Sequence, residues 1–217
     1  MKQKIVIFDF DNTIIHSIKL WRKAINIDLF KKHGLKPNPE IKKMHGGKSN
    51  LEIAQIFVDL SGIKTTAKKI VKEWYDIMFD YYTTKAKIIK GAKEYISKLK
   101  SEGKKVVLAS ATGEELLLPV VKELGFDVLF DEIHTENTVG APKRDPMFYV
   151  KLLEKLDAKP EDVFVFEDSY YAIASATSLR IECGAIICKA TKNRLTYFND
   201  VCSVVIKDYN DKKLSKL

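Results

Sequence analysis

An α/β fold, with a doubly wound, mostly parallel sheet and an inserted all-helical domain, is what this 217-residue sequence predicts. Three observations carry the prediction. Short continuous apolar runs recur at residues 4–8, 105–109, 128–130, 163–166, 185–188 and 203–206, the pattern of parallel strands covered on both faces. Helical periodicities separate most of these runs. One long stretch, residues 16–87, holds helical patterns and no convincing strand.

The elements follow in order. Residues 91–102 place Ala92, Tyr95, Ile96 and Leu99 on one stripe, and Gly103 supplies a stop. Residues 114–124 end at Gly125, with Pro119 inside expected to kink or restart the helix. Residues 145–156 carry Pro146 at a tolerated first-turn position, and 169–181 form a fourth pattern. Such alternation argues for right-handed crossovers in one sheet. Within the insertion, helical patterns lie at 18–33, 49–61 and 65–84, broken by Gly34, Pro37, Pro39, Gly46, Gly47 and Gly62. The expected division is a core of residues 1–15 and 88–217 and a helical cap of residues 16–87. The lysine-rich tail, 211–217, is expected to fray.

Composition narrows the function classes. With 46% hydrophobic and 30% charged residues, ten Gly and six Pro, the chain is neither disordered nor collagen-like. Cys183, Cys188 and Cys202 are odd in number and form no C-x-x-C, which points to a reducing cytoplasm rather than a disulfide or zinc framework. The N-terminal apolar run is too short for a signal-peptide core. No apolar run reaches membrane-spanning length, so no membrane partner is expected. The net charge is 37 minus 29, or +8. All of it belongs to residues 16–87, which hold 15 basic and 7 acidic side chains; the remainder holds 22 of each. The basic residues are 33 Lys against 4 Arg, a poor match to nucleic-acid recognition, which favours the planar guanidinium fork. A positive lid attracting an anion is the functional reading of that charge. The sequence assigns no oligomeric state.

The strongest local signal is Asp9, Phe10, Asp11, Asn12 and Thr13, directly after the first strand. Ligands of such sheets bind beyond the carboxyl ends of the strands. Ser110 follows the strand at 105–109, Glu167 and Asp168 follow the one at 163–166, and Lys143 precedes a helix leading into that strand. These groups can converge on one crevice. Asp9, Asp11, Glu167 and Asp168 would then gather negative charge, each like pair at about 4 Å costing about 4 kcal/mol at an effective dielectric of 20. A cation is required, and oxygen ligands without His or Cys favour Mg2+ before Ca2+. A carboxylate so placed can attack phosphorus once metal, lysine and a hydroxyl neutralise the phosphate. A second carboxyl two residues on can protonate the leaving oxygen.

These four segments, in this order, resemble the motifs of the haloacid dehalogenase superfamily of phosphohydrolases, whose core is of Rossmann type. The insertion resembles the small cap of its beta-phosphoglucomutase and phosphoglycolate phosphatase subgroup. Two positions depart from the pattern: Arg144 replaces a usual Pro after Lys143, and Ala172 a usual Gly. The resemblance implies Asp9 as nucleophile and metal ligand, and Asp11 as general acid/base and metal ligand through its main-chain carbonyl. It implies Thr13 as a holder of loop geometry, and Ser110 with the following backbone amide, that of Ala111, as a phosphoryl grip. Lys143 would bridge Asp9 and phosphate; Asp168 would bind Mg2+ with Glu167 close by. His45 and Lys48, in a turn entering the second cap helix, are candidate substrate contacts. Trp21, Trp74 and Tyr75 read as core, and Tyr170 and Tyr171 as a pocket rim. The expected function is a Mg2+-dependent phosphatase of a small phosphorylated metabolite. The alternatives are a phosphomutase with the same site and, more remotely, a non-catalytic or nucleic-acid-binding module.

Overall fold

The computed structural model describes residues 1–42, 48–188 and 191–217. Its chain starts with β1 (Ile5–Phe8), all four residues of which are buried. After a tight loop, β2 (Ile15–His16) leads out of the sheet into helices. These are α1 (Ile18–Lys23) and α2 (Leu29–Lys32), joined through a π-helical stretch at Ala24–Asp28, then α3 (Pro39–Lys42), α4 (Asn50–Ser61) and α5 (Ala67–Thr84). The return is β3 (Lys87–Ile88), antiparallel to β2. This two-residue ribbon, too short to show as a periodicity, joins the insertion to the rest of the chain. Ser49 caps α4 by a reciprocal capping box with Glu52, and Gly62 ends that helix in a left-handed conformation.

Alternation then resumes: α6 (Ala92–Ser101), β4 (Lys105–Ser110), α7 (Glu114–Glu123), β5 (Glu132–Thr135), α8 (Glu136–Val139), α9 (Pro146–Leu156), β6 (Val163–Glu167), α10 (Tyr170–Ser178), β7 (Glu182–Ile186), α11 (Leu195–Val201) and β8 (Val204–Ile206). Six strands form one sheet in the order β5-β4-β1-β6-β7-β8, with every pairing parallel. β1, β4 and β6 each feed both layers. Val6, Phe8, Val106, Leu108, Phe164 and Phe166 pack with α6, α7 and the inserted helices. Ile5, Ile7, Val107, Ala109, Val163 and Val165 pack with α9. Period-two alternation therefore divides one apolar run between two buried faces. Gly184 is required on β7 because a Cβ there would lie 2.8 Å from the Phe166 ring.

Three expectations are corrected. Residues 128–130 form no strand: Phe126 and Phe130 anchor a turn that exposes Val128. The edge strand is the more polar Glu132–Thr135, which pairs with β4 alone and needs only half-burial. Pro119 neither stops nor restarts α7, because it lies on the exposed face of a helix whose Leu116, Leu117, Val120 and Val121 are buried. The tail is not frayed: Lys212–Lys216 form a 3-10 turn, Leu214 and Leu217 pack on the core, and the Lys213 ammonium donates to the Val205 carbonyl. Helix α11, unforeseen in the sequence, is anchored by the buried Phe198. No helix among the described residues is long and apolar enough to cross a membrane.

Candidate active site

From β1 the chain steps to β4 and β5 on one side, then crosses β1 to β6, β7 and β8 on the other. Beyond the carboxyl end of β1 the order reverses, and a crevice opens at such a switch point. Asp9 lies there, its amide donating to the Phe166 carbonyl at 3.0 Å. Ser110 ends β4 and Glu167 ends β6. Ligand-capable oxygens of Asp9, Glu167 and Asp168 lie within 4.8 Å of one another.

Lys143 reaches this cluster from the loop before α9. Its ammonium donates to Asp9 Oδ1 and to the Ala109 carbonyl, each at 2.9 Å, and to Glu167 Oε2. The other Glu167 oxygen accepts from the amides of Asp168 and Ser169 at 3.0 Å. Both Glu167 oxygens are thus engaged, and Asp9, Glu167 and Asp168 all line the open cavity. Burial and the Glu167 charge push the Asp9 carboxyl up to about 7, against the opposing pull of Lys143. Burial, then Glu167 and Asp9, hold Asp168 well above the usual carboxylate range. Burial draws the Lys143 ammonium down, but Asp9 and Glu167 outweigh it and keep its affinity for a proton high. Three carboxylates therefore cluster around one site whose ammonium is bonded to two of them. Their all-oxygen set and excess negative charge fit a hard divalent ion.

Asp11 is held differently. Its Oδ1 accepts from Ser17 Oγ at 2.5 Å, from Trp21 Nε1 at 3.0 Å and from the Tyr82 hydroxyl. Its Oδ2 accepts from Thr112 Oγ1 at 2.7 Å. The Asp11 carboxylate is not among the three clustered ones, though it lines the same cavity. Burial and Asp11 hold the Tyr82 phenol well above its ordinary range, so it remains a donor. Asn12 shapes the loop. It sits at φ 58°, a left-handed conformation Asn tolerates, and its Oδ1 accepts from the amides of Ser17 and Ile18. Thr13 is fully buried, and its carbonyl accepts from the Tyr209 hydroxyl at 3.0 Å; its own hydroxyl has no partner among the described residues.

Ser110 is buried, with its Oγ accepting from the Thr112 amide at 3.0 Å, while Ala111 lines the cavity. Lys48 is exposed on the cavity wall beside Ser49 and Asn50. His45 lies outside the described residues. Sequence reasoning missed Thr112 and Tyr82 as partners of Asp11, and read Trp21 as core. The Trp21–Trp74 contact, with ring centroids 4.9 Å apart, is core-like, but the Trp21 indole N–H points at Asp11. A buried aromatic donor and a buried hydrophobe have the same helical signature, so no periodicity separates them.

Residues 6–186 match the family described as haloacid dehalogenase-like hydrolase. A phosphorylated carbohydrates phosphatase of Thermotoga maritima is 27% identical over 177 residues, which is 82% of either chain. A phosphoglycolate phosphatase of Psychrobacter arcticus is 23% identical over 192 residues, 84% of this chain and 82% of that one. The crystal structure of CbbY from Rhodobacter sphaeroides in complex with phosphate superposes with a TM-score of 0.82 at 18% identity, covering 96% of both chains. With the match running through β1, β4, β6 and the loop that carries Lys143, the chain belongs to the haloacid dehalogenase-like hydrolase family and is an enzyme of that family.

Proposed function

We propose that the chain is a Mg2+-dependent phosphatase of a small phosphorylated metabolite, working through an aspartyl-phosphate on Asp9, with residues 16–87 acting as its cap. The observation that carries this reading is the union of Asp9, Lys143 and Asp168 at the mouth of β1, on the floor of a cavity of about 630 Å3.

A carboxylate oxygen of Asp9 attacks phosphorus as the bond to the ester oxygen breaks. Asp11 gives its proton to that leaving oxygen. Water then attacks phosphorus, Asp11 takes a proton from it, and the Asp9–phosphorus bond breaks to release inorganic phosphate. Thr112 suits this exchange, because its hydroxyl can donate to ionised Asp11 and turn to accept from the acid form. Lys143 keeps Asp9 aligned and offsets charge on the phosphoryl oxygens. The Ala111 amide, beside Ser110, is the proposed phosphoryl donor. Asp9 and Asp168 are the side chains that would hold Mg2+, with the Asp11 carbonyl completing the set and Glu167 orienting Lys143 and the Asp168 amide. Bound there, Mg2+ supplies the positive charge that three carboxylates and a phosphate require. Free thiols at Cys183, Cys188 and Cys202 agree with a cytoplasmic setting.

The test is release of inorganic phosphate from p-nitrophenyl phosphate. Asp9→Asn should abolish it while leaving the far-ultraviolet circular dichroism unchanged; full activity in that variant refutes the mechanism. Labelled phosphate arriving on a second hydroxyl, rather than in water, would replace hydrolysis by a phosphomutase reaction.

A further inference from the structure

The cleft contains more cationic chemistry than one phosphoryl group uses. Lysine supplies 33 of the 37 basic residues, yet three of the chain's four arginines, Arg22, Arg144 and Arg194, line this one cavity. Their situations differ. Arg144 lies 3.6 Å from Glu52 of α4. Arg22, on α1, and Arg194, on the segment after β7, have no carboxylate partner among the described residues. The Arg194 guanidinium stacks 4.6 Å from the Tyr170 ring centroid, and the Tyr170 ring is itself braced by Tyr197 at 4.6 Å and Tyr171 at 5.4 Å.

A stacked guanidinium keeps its N–H edge free while its plane is fixed, so less side-chain freedom is lost when a carboxylate or phosphate binds in the fork. Lys143 cannot serve a second anion. Its three N–H bonds already go to Asp9, Ala109 and Glu167. The acidic floor repels any anion that no cation faces. A cavity of this volume is also larger than one phosphoryl group fills.

We propose that Arg22 and Arg194 form a second anion subsite in this cleft, so that the preferred substrate is a phosphate ester carrying a further carboxylate or phosphate. The inference rests on the phosphatase reading of the same cleft. It makes Arg22 and Arg194 specificity-determining residues that grip the part of the substrate not being cleaved.

Two matched pairs test it on the full chain with Mg2+: 3-phosphoglycerate against glycerol 3-phosphate, and glucose 1,6-bisphosphate against glucose 1-phosphate. In at least one pair the member with the extra anion should have kcat/KM about tenfold higher, mainly through KM. The first pair responding alone identifies a carboxylate, the second alone a phosphate. In the doubly substituted Arg22→Gln, Arg194→Gln protein the preference should fall below about twofold, while Mg2+ still raises its melting temperature. Calorimetric binding of the same four compounds to Asp9→Asn reads the ratio without turnover. If the wild-type chain releases no phosphate from p-nitrophenyl phosphate either, the phosphatase reading fails and this binding ratio still decides the subsite. Ratios near one in both pairs, or ratios that survive loss of both arginines, overturn the proposal.

Discussion

Removing the metal should make this protein less stable as pH rises, and the effect can be worked from the Asp9 cluster. In the folded chain the Asp9 carboxyl is raised from 3.8 to about 7, first by burial and then by the Glu167 charge. A group whose folded pKa lies above its unfolded one binds its proton more tightly in the native state. Its favourable contribution is present at low pH and is lost as pH climbs from the unfolded value through the folded one. At 1.36 kcal/mol per unit, the whole shift amounts to on the order of 4 kcal/mol, of which about 3 kcal/mol falls between pH 5 and pH 8. Asp168, also raised by burial, adds in the same direction. For a chain of this size that is a fall in melting temperature of roughly 6–12 °C. Millimolar Mg2+ should reverse most of the fall at pH 8 and do far less at pH 5, where protons occupy the ligands. The assay is scanning calorimetry in chelator and in Mg2+ at both pH values. Asp9→Asn, which removes the repelling charge, should melt higher than wild type in chelator at pH 8. A melting temperature that is flat or rising from pH 5 to pH 8 without metal would refute the electrostatic argument, as would Mg2+ stabilising equally at both.

Lys143→Met leaves Asp9 and Glu167 buried without their cation; breaking such a pair costs about 3–5 kcal/mol, read by urea titration, and activity should be lost with it. Tyr82→Phe removes one of three donors to Asp11 Oδ1 and should lower kcat more than it raises KM in steady-state assays. Gly184→Ala forces a Cβ against the Phe166 ring and should destabilise by about 1–3 kcal/mol, visible as a lower denaturation midpoint with normal Mg2+ binding.

The strands could be read because burial on two faces demands uninterrupted apolar runs, and Val6 with Phe8 and Ile5 with Ile7 supply one face each. Asp9, Glu167 and Asp168 are legible for a related reason, since they follow such runs where ligands of a parallel sheet bind, and Lys143 is legible from its place before the helix that leads into β6. The failures have physical causes too. The apolar residues 128–130 lie in a turn that Phe126 and Phe130 anchor and that exposes Val128, while the true edge strand is polar because only one neighbour covers it. Pro119 reads as a kink or restart of α7, yet one helix runs through it, with its ring on the exposed face and only the bond to the Glu115 carbonyl lost. Tyr82 and Thr112 escaped because their roles come from contacts 71 and 101 residues distant in sequence, which no local pattern encodes.

Those distant contacts make Asp11 the point where the two parts of the chain meet. One of its oxygens is held by Ser17 and Trp21, at the exit to the insertion, and by Tyr82 in the last inserted helix; the other is held by Thr112 beyond β4. A second link lies nearby, where the Tyr75 hydroxyl of α5 accepts from the Gly113 amide at 3.3 Å and from Asn50 at 3.2 Å. A third is Arg144 against Glu52. Asp9 has no such dependence, since its partners Lys143 and Phe166 lie outside the insertion, as do Ala109 and Glu167, which hold the same Lys143 ammonium. The side chain proposed to attack phosphorus is thus fixed without the insertion, while one oxygen of the side chain proposed to move protons is held only when the inserted helices are seated. Substitutions that loosen that seating should therefore impair proton transfer to the leaving oxygen before they impair the acidic cluster, and substrates with good leaving groups should be spared most.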